Sequence, residues 1–388
     1  MSAERLPLSG RLVLDLTRNV AGPYATMILA DLGADVIKVE QPGRGDDTRQ
    51  WGPPFWQGES AMFLALNRNK RSIALDLRDG AERERLGALA ERADVLVESF
   101  RPGYLEALGL GRAWAGALNP ELVYCSISGF GAVGPRASHA AYDPLIQAFS
   151  GQMSLTGEAG GGPVRMGVAV NDMGTGLWAA LGILAALLER RAGFGPREVQ
   201  VSLFETALSF MSYHLAGTWA GAPQPRRMGT RTYMIAPYEA FETSDGHVMI
   251  CAGNDKLFRA LCAVLGCPEL TDAPEYVDNP RRVAHRDRLH DALALHTRRY
   301  VARHLVAALD RAGVPASEMR GLAEVAGDEQ AQALGMFQEI DHPTVGRLRS
   351  VALPLSLDGR RPPLRRPPPL LGEHGDALAR PAGDQEEA

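Results

Sequence analysis

The first half of the chain alternates short apolar runs with segments of helical length, and this alternation limits the possible folds more than any other feature. The apolar runs predict five strands: Leu12–Leu16, Asp35–Glu40, Ser72–Leu77, Asp94–Glu98 and Leu122–Ile127. Helices are predicted between them, near residues 23–32, 80–92 and 103–108. Runs such as DVIKVE and DVLVES are apolar on both faces, which is typical of parallel strands covered by helices. The sequence therefore predicts an α/β domain with a doubly wound sheet.

The second half of the chain predicts a smaller α+β domain. The Pro-, Gly- and Arg-rich stretch GAPQPRRMGTRTY marks a linker, and the prolines of RRPPLRRPPPLLGEH favour an extended path near the C-terminus. From about Gly321 onwards the sequence is rich in loop-forming residues. The predicted elements of this half are a helix at 173–191, a strand in REVQVS, a helix at 205–215, a hairpin of 238–241 with 247–251, and helices near 255–266, 286–298 and 300–312.

Composition and charge argue against several classes of partner. The chain has 388 residues, of which 45% are hydrophobic and 22% charged, as in ordinary soluble proteins. Its net charge of −5 disfavours nucleic acid as a partner. The N-terminus has no apolar stretch of signal-peptide length, and the longest apolar region, near residues 177–188, is shorter than a bilayer span. We expect a cytoplasmic protein without a membrane partner.

Motifs for metals and tightly bound cofactors are missing. The four cysteines form no C-x-x-C pair, and the histidines of the 285–304 region do not share a helix face. The segment GFGAVG matches G-x-G-x-x-G, but Pro135 and a polar loop follow it where a dinucleotide site needs a helix. We therefore expect no metal and no tightly bound cofactor.

Asp172, in VNDMGTGLWAALGILAALLERR, is the most informative residue of the chain. It stands at the start of an apolar helix, where an aspartate is by default an N-cap. The same place is also an anion site, in which the helix dipole would keep a carboxylate ionised and able to attack an acyl carbon. Gly174 and Gly176 would leave room for an approaching thioester, and backbone N–H groups near Gly174 or Gly253 would stabilise an oxyanion.

Three further segments are candidates for binding. In AAYDPLIQAFSG, Asp143 is interpreted either as the cap of a helix with Pro144 at its first position or as part of a site with Tyr142. The turn at Arg18 and Asn19 follows the first predicted strand, where open α/β sheets bind ligands. The basic segment NRNKRSIALDL suits either phosphate binding or a solvated loop.

The ordered series of segments resembles one family over nearly the whole chain. The segments are DLTRNVAGPYATMILADLGADVIKVE, NRNKRSIALDL, ESFRPGYLEALGL, SISGFGAVGP, YDPLIQAFSG, NDMGTG, VSLFETAL, AGNDKLF and LGEH. They resemble the class III coenzyme A transferases, the formyl-CoA transferase-like or CaiB/BaiF family. The resemblance implies a Rossmann-like CoA-binding domain (1–204), a linker (205–225), a small α+β domain (226–320), and a linker with a C-terminal return to the large domain (321–388). It also implies an interlocked homodimer.

The resemblance also assigns roles to individual residues. The family's catalytic aspartate matches Asp172, and the tyrosine beside the reacting group matches Tyr142. Its coenzyme A contacts match Arg18, Asn19, Val20, Ala21, Lys70, Arg71 and Phe100. Ala107 and Ala140 stand where relatives can carry a basic residue, which is a departure from the family pattern.

The implied activity is a CoA-transferase of the EC 2.8.3 type, with acyl-CoA and a carboxylic acid as substrates. The resemblance implies an aspartyl acyl anhydride and an aspartyl-CoA thioester, with succinyl-CoA and short dicarboxylates as the substrate class. Arg18, Arg49 and Arg231 are candidates for binding a second carboxylate. Intramolecular CoA transfer, an α-methylacyl-CoA racemase and a silent acyl-CoA-binding protein are the alternatives. The racemases carry a histidine where this chain has Tyr142, and a phenol is a poor proton shuttle near neutral pH.

Overall fold

A computed structural model describes residues 5–193 and 198–375. Its strands are β1 (Leu12–Leu16), β2 (Asp35–Glu40), β3 (Phe55–Trp56), β4 (Glu59–Ser60), β5 (Lys70–Ala74), β6 (Val95–Glu98), β7 (Val123–Ser128), β8 (Glu198–Ser202), β9 (Tyr238–Glu242), β10 (His247–Cys251), β11 (Ala316–Glu318), β12 (Phe337–His342) and β13 (Gly346–Val351). Its α-helices are α1 (Ala21–Asp31), α2 (Ala61–Leu66), α3 (Gly80–Ala90), α4 (Tyr104–Ala107), α5 (Arg112–Leu118), α6 (Asp143–Phe149), α7 (Val170–Arg191), α8 (Leu203–Phe210), α9 (Ser212–Trp219), α10 (Asp255–Leu265), α11 (Asn279–Ala284), α12 (Arg286–Thr297), α13 (Ala302–Arg311), α14 (Leu322–Ala326) and α15 (Glu329–Ala333).

The central sheet confirms the predicted parallel α/β architecture. Its strand order is β5-β2-β1-β6-β7-β8, and every neighbouring pair is parallel. The chain runs outward from β1 to β2 and β5, and then returns to the other side of β1 with β6. In doubly wound sheets, ligands bind beyond the carboxyl ends of the strands at such a reversal. The ends of β1 and β6 therefore mark the first place to look for a site.

Helices cover both faces of the sheet, because its central strands are apolar on both sides. On one face Val13 and Val97 pack under α1 and α7. On the other face Leu14 and Leu96 pack with Leu86 of α3. Burial of such aliphatic side chains contributes roughly 1.5–3 kcal/mol each. The two layers fix the ends of β1 and β6 at the edge of a rigid core.

The helix α7 has 22 residues and is long and apolar enough to cross a membrane by length and composition. It is longer than the apolar stretch at 177–188 suggested. Half of its most apolar window is buried, and Ala179 and Ile183 lie in the core beside α1. A core helix of a water-soluble protein passes the same test, so α7 by itself is weak evidence for a membrane span.

The chain divides into two compact units. The first comprises Met1–Ser150, Met166–Tyr213 and Glu329–Ala388, and the second comprises Gly151–Arg165 and His214–Asp328. In the second unit, β9 and β10 form the predicted antiparallel hairpin, with β11 beside β10. The helix predicted at 205–215 is instead two helices, α8 and α9. The four-segment division drawn from the sequence stays a prediction.

The last part of the chain is more structured than its composition suggests. Strands β12 and β13 form a hairpin where the composition predicts loop. Beyond it, the extended segment returns to β5, the edge strand of the central sheet. The Asn69 N–H donates to the Arg366 carbonyl, and the His374 N–H donates to the Ser72 carbonyl. The C-terminal segment therefore satisfies backbone groups that an edge strand would otherwise leave open.

Candidate active site

The N-terminus of α7 is capped from outside its own sequence. Its N-cap residue is Ala169, which has no side chain able to accept a hydrogen bond. Instead, Oδ1 of Asp143, the first residue of α6, accepts the backbone N–H groups of Asn171 (2.7 Å) and Asp172 (3.2 Å). Asp143 is thus not the cap of its own helix, where Tyr142 is the N-cap residue. Its role could not be deduced from local spacing, because the two residues whose N–H groups it accepts lie 28 and 29 positions further along the chain.

Asp172 is therefore not the N-cap of α7. It is the third helical residue, and another carboxylate already accepts its N–H group. A side chain at this position is relieved of the usual capping role of an aspartate. Asp172 is partly exposed, so its carboxylate can meet a ligand.

Burial, and then the negative charge of Asp143, raise the pKa of Asp172 to about 7. We expected the helix dipole to keep this carboxylate ionised. The opposite shift has a physical cause: Asp143 occupies the free N–H groups of the helix end, and its charge lies beside Asp172. Such a shift is common among groups that act as bases or nucleophiles near neutral pH.

Gly174 and Gly176 of α7 permit close packing and do not leave the space we expected. A Cβ at Gly176 would lie 2.6 Å from the carbonyl oxygen of Ala21, the first residue of α1. A Cβ at Gly174 would lie 2.5 Å from the ring of Phe210. Gly174 also lies beyond the first turn, so its N–H bonds within the helix and is not free for an oxyanion. Gly176 instead brings the start of α1 to within about one turn of Asp172.

A polar cleft lies at the reversal of the strand order, as the topology predicts. It is lined from β1 by Thr17 and Arg18, and from β6 by Phe100. The Arg18 guanidinium lies over the Phe100 ring, 4.8 Å from its centroid, and Tyr104 stacks on that ring at 5.0 Å. A cation and two aromatic faces at the carboxyl edge of a sheet suit an aromatic base with phosphates.

Further residues of this cleft were missed in the sequence. They are Gln41, Asp76, Leu77, Arg78 and Tyr104. Arg78 pairs with Asp76, and its side chain is largely exposed. The signal that would have found them is positional, because Gln41 follows β2 and Arg78 follows β5 at the same edge of the sheet.

Asn19 holds the loop between β1 and α1 in an uncommon conformation. Its φ of 68° lies in the left-handed region, which asparagine tolerates better than most residues. Its N–H donates to Asp46 at 3.1 Å, whereas its Oδ1 is buried without a partner among the residues described. A buried acceptor left unpaired costs about 1–3 kcal/mol.

Lys70 lies under α1, away from the cleft. Its side chain is fully buried, and its ammonium group donates to Asp15 Oδ2, Asn67 Oδ1 and the Pro23 carbonyl, each at 2.9 Å. Burial, with the charge of Lys38 adding to it, lowers the pKa of Lys70 to about 8 against the attraction of Asp15. Its three donors are used within the protein, so the structure offers no Lys70 hydrogen to a phosphate.

The remaining residues implied by the resemblance lie at three places. Val20 and Ala21 are buried at the start of α1, where the Ala21 carbonyl oxygen lies against Gly176, and Tyr142 is exposed next to Asp143. Arg71 is ion-paired with Asp35, near the amino ends of β5 and β2. The structure therefore brings Arg18, Asn19 and Phe100 to one cleft and the start of α1 to α7, but it brings neither Lys70 nor Arg71 to that cleft.

The three arginines considered for a second carboxylate differ in availability. Arg49 is half-buried and makes a two-pronged pair with Glu40, both contacts being 2.7 Å. Arg231 is paired with Glu239 and Asp287. Arg18 makes no carboxylate pair in the described part of the chain and lines the cleft. Residues 5–193 and 198–375 contain no cluster of three His, Cys, Asp or Glu side chains suited to a metal ion.

Comparison with known proteins identifies the family of the chain. A family model described as CoA-transferase family III matches residues 8–375. The chain belongs to this family. It is 41% identical over 369 residues to the succinyl-CoA:glutarate CoA-transferase of Mus musculus, covering 95% of this chain and 84% of that one. It is 40% identical over 375 residues to the acetyl-CoA:oxalate CoA-transferase of Acetobacter aceti, covering 96% and 95%.

Solved structures place the fold in the same family. A CaiB/BaiF family protein from Brucella suis is 39% identical and superposes with a TM-score of 0.87, covering 97% of this chain and 99% of that one. The resemblance to the class III transferases is thereby confirmed, and so is the enzyme class: this family III protein is a CoA-transferase. Its substrates are acyl-CoA thioesters and carboxylates, as in its relatives.

Proposed function

We propose that this enzyme moves coenzyme A from an acyl-CoA such as succinyl-CoA to a short dicarboxylic acid, with Asp172 as the group that is acylated. The observation that carries the proposal is the state of Asp172. Because Asp143 caps the start of α7, the Asp172 carboxylate does not have to. Asp172 remains partly exposed, and its pKa is raised to about 7. A carboxylate with this pKa is ionised in about half of the molecules at neutral pH and is more nucleophilic than an ordinary aspartate.

The cleft at the ends of β1 and β6 is our proposed site for the nucleotide end of coenzyme A. Arg18 supplies a cation for a phosphate, and the exposed Tyr104 ring, stacked on Phe100, supplies a face for the adenine. Asn19 lies beside Arg18 and Phe100 at this edge of the sheet. Because Gly176 seats the start of α1 against α7, a chain leaving this cleft along α1 runs towards Asp172. Lys70 and Arg71 are left out of the proposed surface.

The chemistry consists of two exchanges, each of two steps. The Asp172 carboxylate attacks the donor thioester carbon, giving a mixed anhydride and CoA thiolate. The thiolate then attacks the Asp172 carbonyl carbon, which leaves an aspartyl-CoA thioester and releases the donor acid as a carboxylate. The acceptor carboxylate repeats both steps in reverse and regenerates Asp172. Activation passes from one acyl group to the next, so no ATP is consumed, and water must be kept from the anhydride.

The names of the relatives support a dicarboxylate as acceptor. The mouse relative is named for succinyl-CoA and glutarate, and the Acetobacter aceti relative for acetyl-CoA and oxalate. A short dicarboxylic acid has two carboxylates. One reacts at Asp172, and the other, at the far end of the molecule, needs a cation to bind it. Arg49 and Arg231 are already paired with carboxylates, and Arg18 is assigned to a phosphate of coenzyme A, so none of the three is proposed for the distal carboxylate.

A panel of acids tests this function. The enzyme is incubated with succinyl-CoA or acetyl-CoA and one of oxalate, malate, glutarate, itaconate or a monocarboxylate control, and new thioesters are detected by mass. We expect new thioesters with short dicarboxylates and none with Asp172→Asn. Transfer that survives in Asp172→Asn would contradict the assigned nucleophile. Deuterium uptake at the α-carbon without an acceptor would instead indicate a racemase.

We propose a homodimer as the working form. The outer side of α7 carries apolar residues at helical spacing, namely Leu177, Leu181 and Leu188, and these are exposed together with Trp178. A stripe of large apolar side chains on a long helix is typical of a surface that another protein covers. A second copy of this chain is the partner that the family resemblance implies, with the two chains interlocked.

A further inference from the structure

The strongest feature that the proposed mechanism leaves unused is Asp143. It is almost fully buried, at 2% exposure, and it lies on α6, whereas the nucleophile lies on α7. Ordinary packing does not require an ionisable group here, because an amide or hydroxyl side chain can also cap a helix. A second buried carboxylate beside a reacting carboxylate therefore calls for an explanation.

The contacts of Asp143 form a fixed chain of hydrogen bonds. Its Oδ1 accepts the N–H groups of Asn171 and Asp172, and its Oδ2 accepts the side-chain amide of Gln147. Gln147 is fully buried, and its own oxygen accepts the Met166 N–H at 2.8 Å. The Met166 contact sets the orientation of the Gln147 amide, which then presents a donor to Asp143. Three N–H donors and the positive end of α7 surround this carboxylate, an environment that stabilises a negative charge.

We propose that Asp143 is a positioning residue that fixes the peptide carrying Asp172 and whose negative charge favours every uncharged form of Asp172, the acylated forms included. The proposal rests on the proposed function, in which Asp172 is the acylated group. Acylation, like protonation, removes the charge of the Asp172 carboxylate, and that charge leaves on the CoA thiolate and, once the thioester forms, on the released donor acid. A neighbouring charge that disfavours the ionised carboxylate therefore shifts the equilibrium towards the anhydride and the aspartyl-CoA thioester.

No other ionisable group in the described part of the chain accounts for the same effect. Burial and Asp143 are the causes of the raised pKa of Asp172. The other ionisable side chains on the elements packed against α7 are Tyr24 and Asp31 of α1, Tyr124 and Cys125 of β7, Glu198 of β8 and Glu205 of α8. Those of α7 itself, apart from Asp172, are Glu189, Arg190 and Arg191 in its last turn, at the opposite end of the helix.

Two variants separate the charge of Asp143 from its hydrogen bonds. Asp143→Asn removes the charge and keeps an oxygen for the two N–H groups, but it sets an NH₂ group against the Gln147 amide. The double variant Asp143→Asn with Gln147→Glu restores a complete chain, since the new carboxylate accepts from both the new amide and the Met166 N–H. It also moves the negative charge one side chain further along the hydrogen-bond chain, away from Asp172. Glu84→Gln is the control. It makes the same charge change on an exposed residue of α3, on the opposite face of the sheet.

The readouts are the pH dependence of kcat/KM for acyl-CoA and the fraction of enzyme that carries CoA as a thioester after rapid quenching, measured by intact mass. We expect Asp143→Asn to move the acid limb of the profile down by about one pH unit and to lower the thioester fraction several-fold. The double variant should lie between Asp143→Asn and the wild type, and Glu84→Gln should match the wild type. If Asp143→Asn does not fold, comparison of the double variant with the wild type in the same two measurements still tests the proposal.

An unmoved acid limb and an unchanged thioester fraction in a folded variant would overturn the proposal, even if kcat or thermal stability fell, because a simple helix cap predicts that result. Failure of the proposed function has a different signature. In that case the wild type would carry no thioester at any pH, and Asp172→Asn would retain transfer.

Discussion

At the scale of single residues, Lys70 shows how burial redirects a basic side chain. The sequence places it in a polar segment that suits a phosphate, yet the structure buries its ammonium group against Asp15, Asn67 and a carbonyl oxygen. Asp15 is also fully buried, and its second cationic neighbour, Lys38, lies 4.0 Å away. Removing one partner of a buried ion pair leaves an uncompensated charge.

We therefore expect Lys70→Met to lower the free energy of unfolding by about 3 kcal/mol, with little change in the KM for acyl-CoA. Urea unfolding and steady-state kinetics below the unfolding transition measure the two effects. Arg71→Met is the matched control, since its partly exposed pair with Asp35 contributes less than about 1 kcal/mol. A large rise in KM with unchanged stability would show that Lys70 contributes to acyl-CoA binding and not to stability.

Asp172 should leave a signature in the pH dependence of stability. Its pKa is raised from 3.8 to about 7 in the folded protein, so the folded state holds the proton more tightly than the unfolded chain does. Its contribution to stability therefore falls as the pH rises from about 4 to about 7. We expect Asp172→Asn to gain roughly 2 kcal/mol over the wild type at pH 8, which is about half of the full conversion because the side chain is partly exposed, and nothing at pH 4. Equal gains in stability at both pH values would show that folding does not shift the pKa of the Asp172 carboxyl.

At the scale of elements, the contact between α1 and α7 connects the cleft to the nucleophile. Gly176 has no room for a side chain, because a Cβ would meet the backbone of Ala21 at 2.6 Å and of Ala25 at 3.3 Å. Backbone atoms at a helix start move only with the whole helix. The close approach is therefore a condition for the geometry of the site as well as for packing.

We expect Gly176→Ala to cost about 2 kcal/mol through overpacking and to reduce kcat/KM, because it pushes α1 away from α7. Gly116→Ala in α5 is the matched control, because a Cβ there meets nothing within 4 Å. That change should be neutral or stabilise by about 0.5–1 kcal/mol. Thermal unfolding and acyl-CoA kinetics measure both variants. A Gly176→Ala protein with wild-type kinetics would show that the close spacing of α1 and α7 is not needed for activity.

The sequence predicted the secondary-structure elements better than the contacts between them. Strands β1 and β2 lie where the apolar runs placed them, because a strand covered on both faces has a clear local pattern. The capping of α7 by Asp143 was missed because the two ends of that hydrogen bond are 28 residues apart. The hairpin of β12 and β13 was missed because its strands, FQEIDH and GRLRSV, are mostly polar and partly exposed. The family resemblance located Asp172, but the raised pKa depends on contacts that only the fold provides.

At the scale of the whole molecule, the proposed homodimer predicts a sensitive surface on α7. Leu181 is 57% exposed in the middle of the apolar stripe of that helix. We expect Leu181→Asp to weaken or abolish the dimer, which sedimentation velocity over a range of concentrations would show. Val133→Asp, at an even more exposed apolar residue in the loop between β7 and α6, is the control and should leave the association unchanged. A monomeric wild-type protein at all concentrations would contradict the proposal.

The central claim is that one carboxyl group, that of Asp172, is acylated during turnover, and chemical trapping tests it most directly. The enzyme is mixed with succinyl-CoA, quenched with hydroxylamine and digested, and the peptides are mapped by mass spectrometry. The account predicts a hydroxamate at Asp172 that requires acyl-CoA, with none at Asp143 and none in Asp172→Asn. A hydroxamate on any other carboxyl group, or transfer at full rate without any hydroxamate, would contradict it.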